Sequence, residues 1–267
     1  MRILWLLSEL VAQLGRWFIF LLRELGGILL FFLHGLFSVF KYPFQLRKNL
    51  EQVYFIGVKS VFVIILVALF TGMVMGLQLY YTLVKFGSEG VLGAAVALAI
   101  IRELGPVLTA IMVIARAGSS MAAEIGIMRI TEQIDALVTM EVDPVRYLFS
   151  PRIVAAVISF PLLTALFNVV GILGGYVTGC WLLGINSGIY FARMQDMVVM
   201  ADITGGLYKS LVFGLLVVCI CCYQGFYVHL RSQGFGAKGV SLATTSAVVT
   251  SCVAVLVFDY VLTSFLL

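Results

Sequence analysis

Two adjacent ionisable residues, Arg102 and Glu103, stand inside VLGAAVALAIIRELGPVLTAIMVIA, a run from Val91 to Ala115 otherwise apolar and long enough to cross a bilayer. A charged side chain at membrane depth costs several kcal/mol, on the order of 3, unless it is paired or wetted. Both residues are therefore expected to face a bundle interior or a water-filled cavity. Adjacent residues leave a helix about 100° apart, so the two cannot pair with each other and stay on one face. One reading is an internal ion pair that sets helix register, and the other is a polar anchor in a substrate pathway. If the helix continues beyond Ala115, Arg116 and Glu124 fall within about 40° of Arg102, a polar stripe running along one face. Asp202 and Lys209, set outside or at the mouth of a later span, are either outer partners of this pair or a solvated loop pair.

A second concentration of charge follows at once. Between Ile101 and Arg152 lie eleven of the chain's thirty charged residues. Within that stretch Thr131 is placed to cap a short helix starting at Glu132, where acidic residues favour the positive end of the macrodipole. Asp143-Pro144 then ends it in a turn. Ile134, Leu137 and Val138 share one face. Such a helix ordinarily lies on the membrane, but Glu132, Asp135 and Glu141 would meet an anionic leaflet unfavourably. Docking to another protein is the better explanation.

Other chemistries find little support. There is no G-x-x-x-x-G-K-[ST] phosphate loop, since Gly206 to Ser210 (GLYKS) lacks the Gly-Lys pair, and no nucleophile elbow or H-E-x-x-H. Any ATP hydrolysis must come from a partner, so no cofactor is assigned to this chain. His34 and His229, the two histidines, read as interfacial residues. The five cysteines all fall in apolar runs and read as small packing residues, although Cys219 and Cys222 formally make a C-x-x-C. A net charge of +4, spread over loops and span ends, describes membrane orientation and not a nucleic-acid footprint.

The elements that must position these residues follow from composition. At 62% hydrophobic and 11% charged residues, with a mean hydropathy of +1.12, the chain is an integral membrane protein. Its uncharged runs exceed a barrel strand of roughly 10 residues, leaving an all-α bundle as the structure that satisfies its backbone in lipid. Residues 1–48 interleave apolar residues with Arg2, Glu9, Arg16, Arg23 and Glu24, which reads as an amphipathic interfacial segment, flat or with a re-entrant turn, with a sixth span as the alternative. Residues 49–267 hold five spans: Ser60 to Val84, Val91 to about Ala115, Ile153 to Leu183 with a kink at Pro161, Ser210 to Val228, and Val240 to about Leu266. With the N-terminus cytoplasmic and the C-terminus periplasmic, twelve of the seventeen Lys and Arg residues fall inside, three (Lys85, Arg193, Lys209) outside and two within the second helix. Gly72 and Gly76, and Gly171, Gly175 and Gly179, mark close-packing faces, either within the chain or across a homodimer.

The central run RELGPVLTA, followed by ARAGSSMAAEIGIMRITEQIDAL and VDPVRYLFSPR, resembles the permease subunits of Mla-type lipid ABC transporters, the MlaE or YrbE family. GMVMGLQ (72–78), SFPLL (159–163) and the terminal VLVFDYVLTS extend the likeness to about residues 50–266. The resemblance implies a homodimeric inner-membrane permease bound to a cytoplasmic ABC ATPase that carries ATP and Mg, with a STAS-domain subunit. It also implies a hexameric periplasmic MCE-domain protein, phospholipid as substrate, and a role in outer-membrane lipid asymmetry. By the same likeness Glu132, Gln133, Ile134, Asp135 and Leu137 form the coupling helix seated in the ATPase. Arg102, Glu103, Asp202 and Lys209 match charged positions around a lipid cavity, and Leu77 and Tyr81 its apolar wall. Sterols or other hydrophobic substrates stand as alternatives, as do an ion-coupled secondary transporter and a passive scaffold.

Overall fold

The computed structural model describes residues 2–39, 45–230 and 236–266, and all its regular elements are helical. A long first helix, α1 (Arg2–Val39), precedes α2 (Leu46–Ile56), which runs through a short 3-10 turn into α3 (Val61–Val84). The second membrane crossing is one 42-residue helical run, Glu89–Ile130. It comprises α4 (Leu92–Ala99), α5 (Gly105–Val113) and α6 (Ser119–Ile130), joined by π-helical segments at Ile100–Leu104 and Ile114–Gly118. Two short helices, α7 (Gln133–Thr139) and α8 (Pro144–Leu148), lead to α9 (Ser150–Tyr176). Then come α10 (Ser187–Met197), α11 (Met200–Phe226) and α12 (Gly236–Leu266).

All five expected spans are present as helices long and apolar enough to cross a membrane, and Leu22–Val39 of α1 is a sixth such stretch. α1 is continuous over its described length, so it contains no re-entrant turn; Phe40, where the apolar run ends, lies outside the described residues. Its Phe31 is buried against the rings of Phe149, Tyr223 and Phe226, at centroid separations of 4.7, 5.9 and 5.6 Å. The boundary drawn at residue 48 falls inside α2.

The glycine faces meet within the chain. A Cβ at Gly72 would lie 1.9 Å from the carbonyl oxygen of Gly171, and one at Gly76 would lie 3.2 Å from the Cα of Gly175. The backbones of α3 and α9 therefore touch at these positions, as small residues permit. Helix α9 runs unbroken through Pro161. Helix α11 starts ten residues before the expected Ser210, because an apolar run read from sequence stops at Lys209 whereas the helix buries that lysine.

The two π segments overturn the expected polar stripe. Each takes an extra residue into a turn and shifts the phase of all that follows. Arg102 points to Asp202 of α11, Arg116 to the carbonyl of Phe55 and the hydroxyl of Ser60, and Glu124 to Arg152 of α9. The first segment has a local cause in Pro106. Lacking an N–H, proline leaves the carbonyl four residues earlier, that of Arg102, without its helical donor. Gly105 bonds back to Ile100 in π register.

Candidate functional site

The network around Arg102 is assembled from three helices. Gly206 brings α11 against the second crossing, since a Cβ there would stand 2.4 Å from the carbonyl oxygen of Ile101. One turn further on, Lys209 is buried, with 3% of its side chain exposed. Its ammonium donates to Glu103 Oε2 at 2.7 Å, Asp259 Oδ1 at 3.1 Å, Thr263 Oγ1 at 2.7 Å and the Arg102 carbonyl at 3.0 Å. The last is the acceptor that Pro106 set free. Three ammonium hydrogens thus share four acceptors. Thr263 donates in turn to its own helix at the Asp259 carbonyl, 2.8 Å away, or to Glu103 Oε1 at 3.1 Å.

Arg102 turns the other way, as the 100° separation requires, and its Nη2 contacts Asp202 Oδ1 at 2.7 Å. Asp202 occupies the first turn of α11, where a carboxylate is favoured by the helix dipole, and its Oδ2 accepts the Val199 N–H at 3.1 Å. Arg102, Glu103, Asp202, Gly206, Lys209 and Thr263 line an open cavity of about 50 Å³. At 1.5 Å per residue Lys209 and Asp259 lie about 10–14 Å inside the ends of α11 and α12, while Asp202 and Thr263 lie about 3–5 Å inside them. Three carboxylates and two cations meet there.

Sequence reasoning placed Arg102, Glu103, Asp202 and Lys209 as candidates, and the structure brings these four together. Leu77 and Tyr81 do not line the cavity; both lie exposed on α3, with Tyr81 edge-on to Tyr80 at 5.8 Å. Asp259 and Thr263 were missed as site residues. Their signal was an Asp and a Thr four residues apart, hence on one helix face, in the last apolar run.

At the other end of the second crossing, α7 is built differently from expectation. Thr131 does not cap it: the hydroxyl donates to the Ile127 carbonyl at 2.8 Å, closing α6. Glu132 precedes α7 in the left-handed conformation, with φ of 60°, and Glu141 follows it with φ of 59°. Asp143 caps α8, accepting from Val145 and Arg146, and its other oxygen contacts His34 of α1 at 3.1 Å. Ile134 is buried in the chain's own core, while Val138 and Met140 are exposed. Gln133 is exposed and Leu137 half-buried.

Asp135 is tied within the chain. Its carboxylate accepts from Arg129 Nη1 at 2.8 Å, and Arg129 Nε donates to His229 Nδ1 at 3.0 Å. Burial, and then the neighbouring Arg129 charge, hold the His229 imidazole below its ordinary value of 6.5. A second link, Arg152 to Glu124 at 2.8 Å, joins α9 to α6. The α7–α8 segment is therefore tied to α1 through His34, to α6 through Arg129 and, by way of Arg129, to the turn after α11 through His229; of these contacts only Arg129 had not been singled out in the sequence.

These elements define an all-helical, multi-pass membrane permease whose central crossing carries a polar cavity near one end and a short helical reversal at the other. The chain belongs to the MlaE permease family: the family model described as Permease MlaE matches residues 49–265. It is 40% identical over 266 residues to the intermembrane phospholipid transport system permease protein MlaE of Haemophilus influenzae, covering 97% of this chain and 98% of that one. A probable ABC transporter permease of Rickettsia typhi is 38% identical over 261 residues, 98% and 99% of the two chains. Protein TRIGALACTOSYLDIACYLGLYCEROL 1 of Arabidopsis thaliana chloroplasts is 37% identical over 219 residues, 82% of this chain and 61% of that one.

Proposed function

We propose that this chain is the permease of a phospholipid ABC transporter in a bacterial inner membrane. It works as a homodimer with a cytoplasmic ATPase that supplies ATP hydrolysis and Mg, a STAS-domain subunit and a periplasmic hexameric MCE-domain protein. The route it serves connects the inner membrane with the outer membrane and maintains lipid asymmetry there. The N-terminus is cytoplasmic and the C-terminus periplasmic.

One observation carries this reading: Arg102, Glu103, Asp202 and Lys209, the last held by Asp259, line a cavity between apolar helices. A lipid needs both environments, cations for its phosphate and apolar walls for its chains. The network's carboxylates keep those cations paired when no phosphate is present, so exchange of partners replaces bare desolvation. The second crossing links this cavity to α7, where Glu132, Gln133, Asp135 and Leu137 offer contacts to the ATPase and Ile134 anchors the helix to the bundle. ATP drives the change only through different affinities for the two states.

The test is ATP-dependent transfer of a labelled phospholipid from vesicles holding the purified complex to the MCE-domain partner. Arg102→Ala with Glu103→Ala is expected to abolish transfer, and Leu137→Arg to lose copurification with the ATPase while the chain stays in the membrane. Transfer that persists in the double variant would overturn the cavity assignment. Transfer by the purified chain alone would replace the ABC reading with an ion-coupled carrier.

A further inference from the structure

Four cations on the crossing helices have carboxylate partners close by: Arg102 at 2.7 Å, Arg129 at 2.8 Å, Arg152 at 2.8 Å and Lys209 at 2.7 Å. Arg116 has none among the described residues. Its Nη1 donates to the Phe55 carbonyl and, at 3.0 Å, to Ser60 Oγ. The guanidinium has five N–H donors, so this leaves donors and a whole positive charge unanswered. An unpaired cation at membrane level is costly, which calls for an anion from outside the chain.

Lys59 supplies a second positive charge around the same ring. Its Nζ stands 5.7 Å from the Phe55 ring centre, and the Arg116 guanidinium lies 4.9 Å from the same centre. Lys59 is exposed and has no ion pair among the described residues. Two cations flanking one ring, each within 6 Å of its centre, raise the local positive potential, and an arginine fork with a lysine nearby suits a phosphate. The π segment Ile114–Gly118 aims Arg116 out of the stripe that would carry it elsewhere.

The surroundings select a lipid phosphate. Tyr54, whose ring centre is 5.7 Å from Lys59 Nζ, is exposed, as are Val58 and Phe62 on either side of Lys59 in sequence. They carry exposed apolar surface from the end of α2 across the 3-10 turn to the start of α3, against which an acyl chain can lie. This place is level with the start of α3, whereas the cavity is level with the start of α11. Along the second crossing the fourteen residues from Arg102 to Arg116 span about 21 Å.

We infer that Arg116 and Lys59 form a second phospholipid site, which binds a glycerophospholipid phosphate in the leaflet opposite the cavity. The site needs only that the chain spans a membrane, so it stands apart from the transport reading. The test is native mass spectrometry of the detergent-purified chain titrated with phosphatidylglycerol. Lys59→Gln, which removes no hydrogen bond recorded for the fold, is expected to weaken one lipid-binding step about fivefold, and Arg116→Gln to weaken the same step at least as much. Unchanged binding in Lys59→Gln overturns the site. Displacement of the lipid by equimolar inorganic phosphate overturns it in favour of a small-anion site. Loss of binding in Lys59→Gln alongside a complex that transports nothing upholds the site and sinks only the transport reading.

Discussion

Replacing Lys209 with Met removes one charge from the cavity while nearly preserving shape. Glu103 and Asp259 both contact the same ammonium, at 2.7 and 3.1 Å, so their oxygens stand within about 6 Å of each other. Two unit charges at that distance repel by about 3 kcal/mol at an effective dielectric of 20. The Thr263 hydroxyl and the Arg102 carbonyl each lose a donor, worth about 1 kcal/mol apiece. Partial solvent access to Glu103, whose side chain is 40% exposed, offsets part of this. The expected loss is about 3 kcal/mol, or a melting temperature lower by roughly 6–12 °C in a chain of this size. Differential scanning fluorimetry of the detergent-solubilised protein reads it. A variant that also carries Glu103→Gln and Asp259→Asn is expected to recover at least half of the loss, since no charge is left unpaired there. On the proposed function, lipid transfer is expected to be lost in both. If Lys209→Met melts within about 2 °C of the parent, or if the neutralised variant is no better, the charge-balance account of the cavity is wrong.

Three further outcomes follow from the packing. Gly72→Val drives a side chain into the Gly171 carbonyl and pushes α3 from α9, with an expected loss of about 1–3 kcal/mol on the same fluorimetric assay. Glu132→Gly relieves a left-handed residue and is expected to raise stability by about 1 kcal/mol, while weakened ATPase copurification reports the lost side chain separately. Because the His229 value is lowered in the folded protein, the unfolded chain binds the extra proton first. Stability from this contact is present above pH 6.5 and is lost as pH falls below it; melting curves from pH 8 to 5 are expected to show this decline, and His229→Gln to lack that component.

The all-α membrane architecture was legible in the residues because its cause is local. Backbone groups in hydrocarbon must be satisfied within the segment, so the length and apolarity of each run decide that it is a helix. The tension at Arg102 and Glu103 was equally legible, since the angle between neighbours on a helix is a property of the backbone. Even the free carbonyl of Arg102 was written in Pro106, four residues on. What the cations pair with was not. Arg102 finds Asp202 a hundred residues away, and Lys209 finds Asp259 on a different helix. Those meetings depend on Gly206 letting α11 approach the second crossing, and on π turns that shift the phase on which the expected stripe rested. The direction of Ile134 was likewise undecided, because a seven-residue helix acquires an inside only when it docks on a bundle. Local chemistry set which residues needed partners, and only the packed helices, by bringing distant segments within 3 Å, decided which partners they have and left Arg116 to seek its own outside the chain.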